Sequence, residues 1–165
     1  MSAEWERISE EEKATIAPFL EEVPVRIATM ARALGVEVKS ATLRPRISGQ
    51  IQRSDSSQSG YRIRVNRHEA PTRQRFTIAH EIAHFLLHRD YIGDGIEDSI
   101  LYRSTLSDKR EAEANRLAAE LLMPKDSVIQ ALRVRGGRAT PRIAVEIAQD
   151  FNVSEAAMSI RLGLG

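Results

Sequence analysis

Cysteine is absent from this chain, and with it go disulfides, cysteine nucleophiles and every zinc site built on thiolates. Any metal would have to be held by histidine and carboxylate. No apolar run reaches 18 residues, so no membrane span is expected. A basic start followed by an apolar stretch is missing too: residues 1–22 carry seven acids against Arg7 and Lys13, the reverse of a secretory signal. Repeats and low-complexity blocks do not occur. These absences point to a cytoplasmic protein outside the membrane and fibrous classes.

What remains is ordinary for one globular domain. The 165 residues are 42% apolar and 28% charged, enough to bury a core and too few for two domains of usual size. Net charge is +1, but it is unevenly spread. Residues 1–22 sum to −5, whereas residues 41–75 hold eight arginines against Asp55 and Glu69, a net +6. That stretch would either meet an acidic partner or form a solvated face against the acidic start.

Ser9 and Glu12 form a capping-box start for a first helix, interrupted at Pro18. A second helix follows Pro24, with Ile27, Met30, Ala31 and Leu34 on one face, and ends at Gly35. From Val36 to Asn66 the apolar period changes to two in VEV, RISGQIQR and YRIRVN, which predicts a small antiparallel sheet. Residues 71–88, PTRQRFTIAHEIAHFLLH, return to helical spacing and predict a largely buried helix with Pro71 in its first turn. Arg89 to Asp108 has no sustained period, and so long a loop is expected to rim a site. KREAEANRLAAELLM predicts another helix, ending before Pro124. Three shorter helices are expected near 125–133, 141–150 and 154–162.

HEIAH, residues 80–84 of the buried helix, has the H-E-x-x-H form of zinc hydrolases. Four residues turn a helix by about 400°, so His80 and His84 share a face about one turn apart and reach one cation. Glu81 points about 100° away, placed to act on a water as general base without being a ligand. Without a partner, two histidines and a glutamate in apolar surroundings would cost several kcal/mol.

A catalytic zinc keeps three protein ligands and leaves one position to water. His88 lies about 12 Å along the axis from His80, which reads as packing or as support for the ligands, and His68 reads as surface. Glu111, Glu113 and Glu120 on the next helix are better third ligands. Glu111 shares a stripe with Asn115, Ala118 and Leu122, and Asn115 is placed to hydrogen-bond a ligand imidazole. Glu113 points about 200° round from Glu111 and reads as part of a charged solvent face with Lys109 and Arg110. Glu111 is therefore the expected third ligand.

RQRFTIAHEIAHFLLH, EAEANRLAAELLMP and FNVSEAAMSIRL together resemble the ImmA/IrrE family of bacterial and phage metallopeptidases, over most of the chain. The wider similarity is to gluzincins, in which H-E-x-x-H is completed by a glutamate on a following helix with an acid or amide four residues on, the positions of Glu111 and Asn115. The resemblance implies an α+β fold: a small antiparallel sheet on the active-site helix, with an edge strand that accepts an extended substrate, in a sheet that includes YRIRVN. It implies one metallopeptidase domain over 1–165, with a catalytic core in 1–123 and a helix-turn-helix-like subregion in 124–165. It further implies Zn²⁺ on His80, His84 and Glu111, with Mn²⁺ also compatible. Glu81 would then be the general base of an endopeptidase acting on a helix-turn-helix repressor in stress response. Tyr61, Tyr91, Tyr102 and His88 are candidates for the second oxyanion donor.

A competing reading is a DNA-binding module, or a protein that sequesters a repressor without hydrolysis. RIAVEIAQDFNVSEAAMSIRLG scans as helix, turn and helix, yet its second helix offers Glu155 and a single arginine, Arg161. That is poor equipment for phosphates or base edges.

Overall fold

The computed structural model describes residues 2–165. Helices α1 (Ala3–Glu6), α2 (Glu10–Ile16) and α3 (Ile27–Ala33) lead into strands β1 (Glu37–Ala41), β2 (Ile47–Arg53) and β3 (Tyr61–Asn66). Then come α4 (Pro71–Leu87), β4 (Gly95–Ser99), α5 (Asp108–Leu122), α6 (Lys125–Arg133), α7 (Pro141–Phe151) and α8 (Glu155–Arg161). The fold is α+β, as the sequence predicts. No helix among the described residues is long and apolar enough to cross a membrane.

Local chemistry explains most of the boundaries. Ser9 accepts the Glu12 N–H at 3.1 Å to start α2, and Gly35, at φ +84°, lets the chain leave α3 in the left-handed conformation. Pro71 opens α4, and Ser107 caps α5 by accepting the Arg110 N–H. Along α7, Ala144, Ile147, Ala148 and Phe151 are buried at spacings of three and four, and Asn152 turns the chain at φ 56° into α8.

The sheet order is β1-β3-β2-β4. β2 pairs antiparallel with both β3 and β4, but β1 runs parallel to β3, so the sheet is mixed rather than wholly antiparallel. A period of two is common to both kinds of ladder and cannot distinguish them. β3, the YRIRVN strand, is interior, and the edges are β1 and β4. β4 itself lies inside the stretch expected to be loop, because one of its two buried positions is an acid, Asp98, beside Ile96. Apolar alternation is blind to such a strand.

α4 lies between the sheet and α5, a layered arrangement that buries both of its faces. Ile51, Ile63 and Val65 from the sheet, Ile82 and Phe85 from α4, and Leu117 and Leu121 from α5 belong to one core. Each such side chain contributes about 1.5–3 kcal/mol by leaving water. That packing fixes how α4 and α5 face each other, and with it the relation between residues 80–84 and Glu111.

The arginine-rich stretch is largely spent within the chain. Arg44 pairs with Glu97, Arg73 with Glu69, and Arg75 donates to the carbonyls of Val25 and Asn152. The acidic start pairs elsewhere: Glu12 with Arg89 and Glu4 with Arg116. Among the described residues the two charge blocks therefore form no ion pair with each other.

Candidate metal centre

Residues 77–86 of α4 are all buried, so His80, Glu81 and His84 are carried into the interior by the apolar side chains around them. His80 and His84 bring their Nε2 atoms to 3.0 Å. From α5, Glu111 places Oε1 at 3.1 Å from the first and 3.2 Å from the second. Asp98 of β4 places Oδ1 at 3.2 Å from His80 Nε2 and 3.7 Å from His84 Nε2. Four donors held tetrahedrally at 2.0–2.2 Å from one cation would lie about 3.3–3.6 Å apart. The observed spacings straddle that range.

The other nitrogen of each imidazole is already engaged. His80 Nδ1 lies 2.9 Å from Asn115 Oδ1, the contact expected of Asn115. His84 Nδ1 lies 3.0 Å from His88 Nδ1, and His88 Nε2 lies 2.9 Å from Glu113 Oε1. An ionised carboxylate can only accept, so His88 donates to Glu113 from Nε2 and accepts the His84 proton at Nδ1. Burial lowers the His88 pKa, which keeps it neutral for this double duty. Glu113 is held below the usual carboxylate range, since the bond from His88 and the Arg7 guanidinium outweigh its desolvation. Arg7 Nη1 reaches Glu113 Oε2 at 2.5 Å. Glu113 is thus no solvent-face residue: α1 packs against α5, and the residue is only 8% exposed.

With both Nδ1 atoms so engaged, lone pairs of His80 Nε2 and His84 Nε2 face the oxygens of Glu111 and Asp98. A set of acceptors this close and this buried needs a cation or a proton among them. In the free site a proton serves: burial disfavours charged His80, but Asp98 and Glu111 outweigh it and raise its pKa to about 9. Asp98 is held well below the usual range in return, its bonds to the two histidines overriding its burial. Metal and proton therefore compete for the same nitrogen. Among the described residues Asp98 Oδ2 and both oxygens of Glu81 are buried with no hydrogen-bond partner, rare in a folded interior; an ion or a water would supply the missing partner. His, Asp and Glu donors with no thiolate suit Zn²⁺ or Mn²⁺.

Glu81 is fully buried, and its carboxyl is pushed well above the usual range by burial and then by the negative charge of Asp98. The backbone opposite it is Gly49 of β2. A Cβ there would meet Thr77 Cγ2 at 2.5 Å and Glu81 Oε2 at 3.2 Å, so the missing side chain lets β2 lie against α4 and clears space for this carboxylate.

Among the four oxyanion candidates, Tyr61 packs edge-on against Phe85 in the core, Tyr91 is 54% exposed, and His88 is occupied as described. Tyr102 is the one beside the site: its ring lies 4.9 Å from that of His80 and its hydroxyl 3.1 Å from Thr77 Oγ1. Burial raises its pKa. Phe76, Tyr102, Asn115, Met123, Ala157 and Ile160 help to line a cavity of about 490 Å³ beside it. His68 stays in the loop after β3, near Thr42. Asp98 escaped the reading of the residues, as did Ser104, whose hydroxyl donates to Glu111 Oε2 at 2.6 Å. Both lie in the stretch without a period, whose only signal was its length.

Residues 31–163 match the family described as the IrrE N-terminal-like domain. The chain belongs to that family. A relative from Deinococcus deserti, named radiation response metalloprotease IrrE, is 38% identical over 102 residues, covering 56% of this chain and 32% of its own length. The chain thus spans about a third of that relative. A solved structure named as a Mycobacterium tuberculosis transcriptional regulator superposes with a TM-score of 0.60 at 18% identity, over 96% of this chain and 48% of the other. At that identity the likeness speaks for the fold alone. Family membership implies a divalent metal, and the group His80, Glu81, His84 and Asp98 is disposed to hold one.

Proposed function

We propose that the chain is a metal-dependent endopeptidase, with Zn²⁺ as its ion and His80, His84 and Glu111 as ligands. The observation that carries the reading is the meeting of His80 Nε2, His84 Nε2 and Glu111 Oε1 within 3.0–3.2 Å beside a buried, unpartnered Glu81. A divalent ion bound there supplies Lewis-acid charge that acidifies water and polarises a carbonyl. The Glu81 carboxyl, raised by burial in the free site, ionises more readily beside such a charge. It then takes a proton from the attacking water as the new C–O bond forms, and returns it to the amide nitrogen as the C–N bond breaks. Tyr102 is the group we assign to hydrogen-bond the developing oxyanion. Asn115 and His88 hold the two imidazoles in the tautomer that leaves Nε2 free.

For the substrate we propose a helix-turn-helix repressor in the cytoplasm, whose loss would release genes in stress. The relative's name, a radiation response metalloprotease, favours that setting. Direct DNA binding is disfavoured by α8, whose one cation, Arg161, is held on the Met123 carbonyl at 3.0 Å.

The test is incubation of the purified protein with the repressor encoded beside its gene, with and without chelator, against Glu81→Gln. We expect cleavage by the metal-loaded wild type and a loss of about 10²–10⁴-fold in Glu81→Gln, with metal content retained. A repressor left intact under every metal condition overturns the substrate, and equal cleavage by Glu81→Gln overturns the base.

A further inference from the structure

A catalytic metal site keeps one position open, whereas a closed set of four protein donors is the mark of a structural or resting site. Here a fourth donor is present. Asp98 Oδ1 stands 3.2 Å from His80 Nε2 and 3.7 Å from His84 Nε2, comparable with the separations at Glu111, and its residue is wholly buried. Two carboxylates would also cancel the charge of a divalent ion, weakening the polarisation that hydrolysis needs.

Its delivery is as informative as its position. β4 is an edge strand, antiparallel to β2, and extended peptides are captured by antiparallel addition to such an edge. In this molecule β4 already fills the free side of β2. The register places Asp98 opposite Gly49, the glycine that clears space for Glu81. A shift between Ile47 and Gly49 skips Ser48, a bulge of the kind that re-aims side chains beside active sites. β4 is paired with β2 along its whole length, but only Ile96 and Asp98 are buried: Glu97 pairs on the surface with Arg44 and Gln50, and Ile100 and Leu101 just after it are 41% and 69% exposed.

We propose that β4 is a built-in occupant of the substrate position and that Asp98 is a fourth metal ligand, so that this arrangement is a closed, resting form opened by withdrawal of β4. The proposal rests on the metal-centre reading above. A substrate strand, or a partner that engages residues 95–103, would then compete with β4 for the edge of β2.

The test uses the full chain loaded with Co²⁺, whose visible absorption reports coordination, in wild type, Asp98→Ala, Asp98→Asn and His80→Ala. Circular dichroism of each establishes folding, and Asp98→Asn preserves side-chain volume should Asp98→Ala not fold. Both Asp98 variants are expected to bind one equivalent of Co²⁺, at least about tenfold more weakly than wild type by chelator competition, with a changed visible band. Acetohydroxamate, which needs an open position, should shift that band at lower concentration in the variants than in wild type. Identical affinity, band and hydroxamate response in wild type and both variants would overturn the proposal while leaving the metal centre intact, and Asp98 would then serve only to neutralise His80 in the free site. A wild type that binds no more Co²⁺ than His80→Ala would instead overturn the metal centre, and this proposal with it.

Discussion

His80 and His84 sit one turn apart on the same helix, yet they are steered by unlike means. His80 is set by one short contact, Nδ1 to Asn115 Oδ1 at 2.9 Å, made between two helices of the core. The arm behind His84 runs through His88 and Glu113 to Arg7, in contacts of 3.0, 2.9 and 2.5 Å. It thereby ties the centre of the molecule to the turn that follows α1. The short arm depends on the α4–α5 packing alone, and the long one also depends on how the N-terminal segment docks. If each link passes on only part of what happens beyond it, the effect of a substitution should fall with distance along the long arm. Coupling of the links into one network would instead keep it constant.

The largest effect should come where the arms end. His80→Ala and His84→Ala each remove a proposed ligand, and each should lower Zn²⁺ affinity by more than the 10–100-fold typical of outer partners, measured by chelator competition. If His84→Ala binds Zn²⁺ as wild type does, His84 is no ligand and the long arm steers nothing.

One step out, Asn115→Ala and His88→Ala should each cost about 10–100-fold in metal affinity, and they should part company in stability. Asn115→Ala frees one His80 N–H. His88→Ala leaves His84 Nδ1 and Glu113 Oε1 without partners, both buried, for a further loss of about 1–3 kcal/mol in urea denaturation of the metal-free protein. Equal denaturation midpoints for the two would mean that the longer arm carries no additional structural weight. Asn115→Asp, an ionised acceptor in the same place, should bind metal at least as tightly as wild type, because a carboxylate raises the basicity of the imidazole it holds.

What could be read before folding, and what could not, follows the same division. Apolar spacing places the H-E-x-x-H residues on a buried helix, and the stripe shared by Glu111, Asn115, Ala118 and Leu122 turns the right face of α5 towards them, so the short arm was legible. Glu113 was not. Its position about 200° from Glu111 indicates solvent only if nothing covers that side, and what covers it is α1, four residues long, too short for a period to reveal. Asp98, Ser104 and Tyr102 lie between α4 and α5, where the chain follows neither helical nor strand spacing for long. Their directions are imposed by the register of β4 on β2 and by a left-handed turn at Tyr102, neither of which has a local signature.

The smallest effect, and the sharpest test of the comparison, lies at the far end of the long arm. The Arg7 side chain is 45% exposed against 10% for Glu113, so the pair is partly screened and should contribute at most about 1 kcal/mol. Arg7→Ala leaves the bond from His88 to Glu113 in place, and with it the direction of the His84 proton. We therefore expect a slightly lower urea midpoint, a loss that shrinks as salt is added, and a Zn²⁺ affinity within about threefold of wild type, the upper end for a coupling well under 1 kcal/mol. An affinity loss as large as that of His88→Ala would mean that the four side chains act as one unit, and that docking of the N-terminal segment sets the metal centre directly. Salt dependence separates the two cases, because a screened surface pair weakens with ionic strength whereas a buried hydrogen-bonded chain does not.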